Sequence, residues 1–523
     1  MKHHILPRSE KTAPTNTQVF IPNEVQKAYQ DGLAERSSNP DKLIWDGKDI
    51  VYIDSNFIAL PKDIHPRLWT PRRKWVANTL VGSLCFLAPF TATIFAPSIN
   101  LVMEDLGMTD PIEGALQTAV FLFAFAIAPL FLAPLSEIYG RKRVLLGGNV
   151  VFIAFGVGGG FARTPGQLVA CRFLAGVGGS SSLAIFGGVL SDLFDLKDRA
   201  KASGVLYFTI ILGPVAGPAC GGWMSERASW RWTCWVPAIA GFVIHIFCQV
   251  LLKECYIPTL LHRRLKECQK QDPHLPLYTA LDIRARMEQQ SGAVYMLTEA
   301  FRPVIYLCVD PALFIVALVF ALLFGTLYMV IVTFYQVLSD GYSHSPGIVG
   351  IDLLSEGIGA MIGLFVTVPL LDVIYTRASA PGKTYHPETR LVAAFGGTMV
   401  TAAGLFMYGF SSGRTHFIIP LIGVALFAAG SMNVGLAIQL YAVDCFQFPA
   451  SAVAAISTFR CVLGGVFPLF GQRLFDAIGI DWGIGLLAFL VLGIGAPAIP
   501  MLYLYGKQLR DIGAKNFKKI TGK

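Results

Sequence analysis

Twelve stretches of this chain are each apolar for about the length a helix needs to cross a bilayer. They run over residues 76–98, 115–135, 144–162, 168–191, 203–224, 233–252, 311–337, 347–374, 391–410, 417–440, 450–474 and 483–505. A hydrocarbon core of about 30 Å takes about 20 apolar residues in a helix. Lipid offers the backbone no hydrogen-bond partner, so runs of this length are confined to helix. The chain is therefore expected to be an all-α membrane protein with twelve transmembrane helices. Composition agrees: 54% of residues are hydrophobic and 15% charged, against about 25% charged in a soluble domain.

A polar stretch at 253–310, carrying Arg263, Arg264, Lys266, Lys270, Arg284, Arg286 and Arg302, separates the first six runs from the last six. It reads as a cytosolic linker between two six-helix halves, 75–252 and 311–505. Residues 1–74 are polar and contain no long apolar run, so they read as a cytosolic N-terminal tail with no signal peptide. Residues 506–523 read as a cytosolic C-terminal tail. Basic residues cluster in alternate loops: Arg72, Arg73 and Lys74, then Arg141 to Arg143, Lys197, Arg199 and Lys201, and Arg377, Lys383 and Arg390. Basic loops stay inside, so both termini are expected in the cytosol. The net charge of +8 is explained in this way and does not call for a nucleic-acid partner. The ten cysteines are scattered, with no CxxC pair and no disulfide framework, and read as small packing residues.

Between the second and third runs, residues 133–145 read APLSEIYGRKRVL. PLLDVIYTR at 369–377 repeats the proline-leucine, an acid, a tyrosine and an arginine after the eighth run. A second echo joins SLAIFGGVLSDLF (182–194) to GLAIQLYAVDCF (435–446). Such repeats mark transporters in which one half rocks against the other around a site at mid-membrane. Glu137, Arg141, Asp372 and Arg377 are then expected to form a cytosolic gate whose ion pairs break and re-form.

On these residues the chain resembles the major facilitator superfamily, and within it the fungal twelve-span drug:proton antiporters. The likeness covers roughly residues 70–506. PLSEIYGRKRVL is similar to the loop signature of the superfamily, with Glu137 in place of the commoner aspartate. RFLAGVGGSSSLAIFGGVLSDLF, LGPVAGPACGGW, SWRWTCWV, HPETRL and FRCVLGGVFPLFGQRLF fit the antiporter pattern. The resemblance implies a role for Arg172 in proton coupling. It also implies that Gly213, Pro214, Gly217, Pro218 and Gly221 in span 5 are the motif of exporters rather than of sugar importers. The residues themselves give a glycine face for close helix contact and two prolines that bend the helix.

Charges inside the spans point to function, because each costs about 2.5–3.5 kcal/mol at the bilayer centre. Arg172 and Arg460 are the cations, and Arg172 also suits an anionic substrate group. Asp352 and Glu356 stand at i and i+4, on one helix face, suitable for a proton carrier or cation site. The family often carries an acid in span 7, where this chain reads YMVIVTF (328–334). Arg460 is expected to pair with Glu356 or to face the cavity. His245 reads as a packing residue. Gln117, Tyr207, Tyr328, Asn433 and Gln439 are candidate cavity residues, suited with the phenylalanines to mid-sized amphipathic ligands.

An exporter needs an energy source. PGKT at 381–384 is the only hint of a nucleotide loop, and Arg377 stands where its first glycine is required. A proton gradient is the expected drive. No HExxH, GxSxG or metal-spaced histidine cluster occurs, so no enzymatic activity, cofactor or metal is expected. The sequence thus reads as a secondary active exporter of a small organic molecule (drug, toxin or secondary metabolite). An importer or facilitator of an organic acid, polyamine or other small nutrient is the alternative. The expected partners are the substrate, protons and the bilayer, for a monomer in the plasma membrane or, second, the vacuolar membrane.

Overall fold

The computed structural model describes residues 51–53, 65–271, 277–279, 292–378, 386–446 and 449–521. Most of the N-terminal tail and the PGKT segment lie outside the described residues.

Helices begin where the sequence places proline after a capping side chain. Asp110 accepts from Ile112 N at 2.9 Å, Thr164 from Gln167 N at 3.4 Å and Asp310 from Leu313 N at 3.0 Å, each just ahead of a proline. Proline lacks the N–H that the first turn leaves unpaired, and the cap satisfies another. The spans are α1 (Pro71–Thr93), α2 (Pro111–Tyr139), α3 (Arg141–Gly160), α4 (Pro165–Leu193), α5 (Leu196–Arg227), α6 (Trp232–Leu251), α7 (Pro311–Tyr342), α8 (Pro346–Asp352 and Leu354–Ala378), α9 (Leu391–Ser411) and α10 (Ile418–Cys445).

The last helical stretch, Pro449–Lys519, counts 71 residues. Straight, it would reach over about 100 Å, more than three bilayer cores. It is broken at Gly479, with φ 78° and ψ 161°. A Cβ on Gly483 would strike the Phe475 ring, although eight residues of helix should separate the two by about 12 Å. The chain therefore doubles back, giving α11 (449–478) and α12 (480–521) and twelve crossings. Gly479 occupies a backbone region open essentially to glycine alone. Gly479→Ala is expected to cost about 1–3 kcal/mol and lower the unfolding temperature of the purified protein. Gly493→Ala, where a Cβ meets open space, should leave it unchanged.

The two halves repeat one packing device. In the first, Gly148 on α3 lies against Gly178 on α4, with Gly148 O 2.5 Å from the Cβ position of Gly178. In the second, Gly404 on α9 lies 2.6 Å in the same sense from Gly423 O on α10, and Gly430 lies 2.6 Å from Gly397 O. Only small residues allow such backbone contact. The first half has a core of Val81, Leu145, Ile185, Leu206 and Cys248, and the second is built around Phe334, Tyr408, Phe427 and Tyr441. A third cluster joins the halves. There Phe90, Phe121, Phe125 and Phe152 meet Tyr328 and Cys461.

The polar stretch between the halves contains two helices, Ile257–Gln271 and Gly292–Val309. Tyr306 on the second packs against Phe446 and Phe517, with ring centroids 5.8 and 5.2 Å apart. The C-terminal residues continue α12 as helix to Thr521, where a tail was expected. Outside the bundle, β1 (Val51–Ile53) pairs in parallel with β2 (Leu277–Thr279), Tyr52 opposite Tyr278. An even number of crossings puts both ends of the bundle on one face, here the terminal face. The opposite one is the distal face.

Candidate functional site

Arg172 lies seven residues inside α4, about 10 Å from its distal end, and is 4% exposed. Its Nε donates to Gln117 O on α2 and its Nη2 to Thr91 O on α1 at 3.5 Å. Thr91 belongs to the last turn of α1, where carbonyls lack helical partners and the dipole favours a cation. The guanidinium also stacks over Phe95 at 4.2 Å. Among the described residues no carboxylate pairs with it. Arg172 is a strut joining three helices. Gln117 is buried beside it, with Nε2 donating to Glu113 O at 3.3 Å and Oε1 without a partner.

Arg460 lies eleven residues inside α11, about 17 Å deep. Its guanidinium faces Phe324 at 4.7 Å and Phe320 at 5.4 Å, and its Nε is buried without a hydrogen bond. Glu356, 5% exposed, leaves Oε2 without a donor. Of the two arrangements expected for Arg460, the ion pair with Glu356 is not formed. Tyr328 is instead within electrostatic reach of both, and Tyr207 within reach of Arg460. Tyr328 is buried against Phe324 at 5.1 Å, and Tyr207 is half-buried against Phe186 at 6.0 Å. Tyr328 thus stands between an unpaired cation and an unpaired acid, while Tyr207 neighbours the cation alone. Asn433 is buried, with Oδ1 unpartnered, and Gln439 is half-buried farther along α10.

Asp352 does not share a continuous helix face with Glu356 as expected. The helix ends at Asp352 and restarts at Leu354, with Glu356 N bonded to Leu353 O at 3.1 Å. This i to i−3 bond tightens the turn and separates the acids. Asp352 accepts from His344 Nδ1 at 2.6 Å near the distal face.

The glycines of α5 face α1. A Cβ at Gly213 would lie 2.7 Å from Phe86 O and one at Gly217 2.8 Å from Phe90 O, while at Gly221 it would strike Ile94 O. Pro218 has no N–H for Pro214 O, and the Thr93 hydroxyl takes up that carbonyl at 3.3 Å. The prolines therefore trade an internal bond for one to α1. The other side of α5 meets α8. Gly350 would place a Cβ 2.5 Å from Pro218 O, and Gly347 N donates to Glu226 Oε2 at 2.8 Å. On the far side Arg473 of α11 pairs with Asp110 at the distal end of α2 at 3.2 Å, and nearer mid-membrane Thr458 donates to Ala126 O of α2 at 3.2 Å. These two seams close the distal side between the halves. Toward the terminal face, Val205, Phe208 and Leu212 of α5 and Phe365, Val366 and Val368 of α8 are uncovered.

At the terminal face Arg141 is buried. It donates to Ser136 Oγ at 2.5 Å, lies 3.4 Å from Asp192 and 3.8 Å from Glu137, and stands 4.7 Å over the Tyr256 ring. Glu254, which sequence reasoning missed, caps the start of α3 by accepting from Arg141 N at 3.0 Å and Lys142 N at 3.2 Å. Burial pushes the neighbouring Cys255 thiol up well above its usual value, as expected of an inert packing cysteine. The counterpart in the second half differs from expectation. Asp372 and Arg377 are exposed and, among the described residues, form no ion pair. Arg390 instead pairs with Asp444 at 2.8 Å, and Arg510 bridges Glu388 at 2.6 Å and the Tyr441 hydroxyl at 2.7 Å. Asp192 and Asp444 occupy the same place in the two echoing segments. That repeat was the signal that could have found them.

The model of a family described as Major Facilitator Superfamily matches residues 81–469. "Efflux pump vrtL" of Penicillium aethiopicum is 37% identical over 90% of this chain and 91% of its own. "Efflux pump radE" of Floropilus chiversii is 31% identical over 97% and 89%. Among solved structures, the xylose transporter XylE from E. coli, in a partially occluded inward-open conformation, superposes with a TM-score of 0.57 at 13% identity. It covers 83% of this chain and 98% of its own, a likeness of fold alone.

Proposed function

The chain belongs to the Major Facilitator Superfamily of membrane transporters, and on that premise we propose that it exports a small organic molecule by proton antiport. The observation that carries this reading is the 37% identity, along nearly the whole chain, to a protein named an efflux pump. The substrate class is a drug, toxin or secondary metabolite, taken from the cytosol. The terminal face is the cytosolic one in this reading, because the basic loops lie there. The closed distal seams support a state that loads from inside. Glu356 carries the proton, and Arg460 with Tyr328 and Tyr207 meets the substrate. Arg141 with Glu137 and Asp192, and Arg390 with Asp444, latch helix ends within each half in this inward-loading state and release them as the cytosolic side closes. The working unit is a monomer in the plasma membrane.

Cells lacking the protein are expected to accumulate a compound that wild-type cells expel, and a protonophore should abolish that efflux. Efflux that continues without a proton gradient would overturn the reading, and net inward flux in intact cells would select the importer. For the latch, Arg141→Ala is expected to lower turnover about tenfold while apparent affinity changes less than about threefold. A large loss of affinity at normal turnover would contradict that role.

A further inference from the structure

A groove of about 600 Å³ opens on the terminal face between the ends of α1, α3 and α6 and the helix Ile257–Gln271. Five cations line it: Arg73, Lys142, Arg143, Lys253 and Arg263. Its one carboxylate, Glu254, is already engaged by the backbone N–H groups of Arg141, Lys142, Cys255 and Tyr256. Lys142 Nζ donates to Gln249 O at 2.9 Å and keeps two N–H free. Among the described residues no ion pair engages Lys142, Arg143, Lys253 or Arg263. The groove is therefore a concentrated positive charge, in which these four cations face a single carboxylate already engaged by backbone N–H groups.

What lies beside it identifies the ligand. Val243, Ile246, Phe247 and Val250 on α6 and Val150 on α3 are exposed. They form an apolar band leading from the groove into the membrane-spanning zone. Lys253 follows Val250 by less than one turn, and Arg143 stands in the first turn of α3. Trp69 and Leu260 provide apolar wall within the groove. Phosphate above and hydrocarbon below is the chemistry of a phospholipid.

We propose that this groove binds the phosphate headgroup of an anionic phospholipid from the adjoining leaflet, with its acyl chains along α3 and α6. The bound headgroup braces three helix ends of the first half, including the start of α3, which carries Arg141. Each basic residue near such a surface is worth about fivefold in headgroup affinity.

The test uses the full chain purified into detergent, with phosphatidylinositol and phosphatidylcholine offered together and bound lipid read by native mass spectrometry. Wild type is expected to retain phosphatidylinositol over phosphatidylcholine by at least about tenfold. Arg143→Gln/Lys253→Gln/Arg263→Gln should lose that preference, weakening binding about a hundredfold, with an unchanged unfolding temperature in lipid-free detergent. Arg143→Lys/Arg263→Lys should keep it. Equal retention of the two lipids by wild type, or full preference in the triple glutamine variant, would overturn the proposal. Displacement of the lipid by millimolar inorganic phosphate would also overturn it, in favour of a soluble anion. The readout is lipid retention, so it stands or fails independently of whether the protein exports anything.

Discussion

Glu356→Gln is expected to give a folded, membrane-inserted protein in which proton-driven export falls at least about a hundredfold. Glu356 is 5% exposed, has one carboxylate oxygen buried without a donor, and is not paired with Arg460. Removing its charge therefore breaks no ion pair, and stability should move by less than about 1 kcal/mol. What disappears, on the proposed role of Glu356, is an exchangeable proton inside the membrane-spanning zone, where an ionisable group is costly to keep. The measurement uses the compound that distinguishes wild-type from deletion cells, in inside-out vesicles with an imposed proton gradient. Glu356→Gln should lose gradient-driven accumulation and keep substrate exchange at zero gradient. Full accumulation by the variant would remove Glu356 from the coupling step. Arg460→Gln should reduce exchange itself, because this cation is assigned to the substrate.

Arg172→Ala should behave differently, because the same charge type is used as a strut. Its guanidinium satisfies Gln117 O and reaches Thr91 O on two neighbouring helices while stacking on Phe95. Truncation strands the Thr91 carbonyl at about 1–3 kcal/mol, removes the link to Gln117 O and leaves a cavity behind. The total expected loss is about 3–5 kcal/mol, read as a clear fall in unfolding temperature together with loss of transport. Arg172→Lys keeps the charge but not the planar fork and should fall between. An Arg172→Ala protein as stable as wild type would show that the guanidinium holds nothing together. The contrast between Arg172 and Arg460 separates structure from function for the two intramembrane cations.

Much of the fold was legible because lipid leaves a chain few options. Twelve apolar runs map onto twelve helices, and Gly479 supplies the reversal between the last two. The glycine-proline pattern of α5 signalled close contact, and the contact is with α1. Less legible were features set by long-range geometry. The sequence places Asp352 and Glu356 one turn apart, but a tightened turn at Leu353 sends one to His344 and buries the other. The gate was read from the acid and arginine of PLLDVIYTR, because the repeat carries them. The structure pairs Arg390 with Asp444 instead, two residues that no local pattern brings together. Glu254, 113 residues from Arg141, had no local signal, since a cap from a distant loop depends on where α6 ends. The helix Gly292–Val309 was hidden by the surrounding polar residues, although its aromatic side chains pack on the bundle.

The central claim is that two halves rock about a protonatable site, opening the two faces in turn. Spin labels at Val205 and Val368 report the terminal side of α5 and α8, and labels at Trp223 and Ile348 report the distal side; all four positions are exposed. Pulsed electron–electron distance measurements across a pH series should show the terminal pair closing as the distal pair opens. That exchange should be abolished by Glu356→Gln. Distances that ignore pH, or two pairs that widen and narrow together, would contradict it.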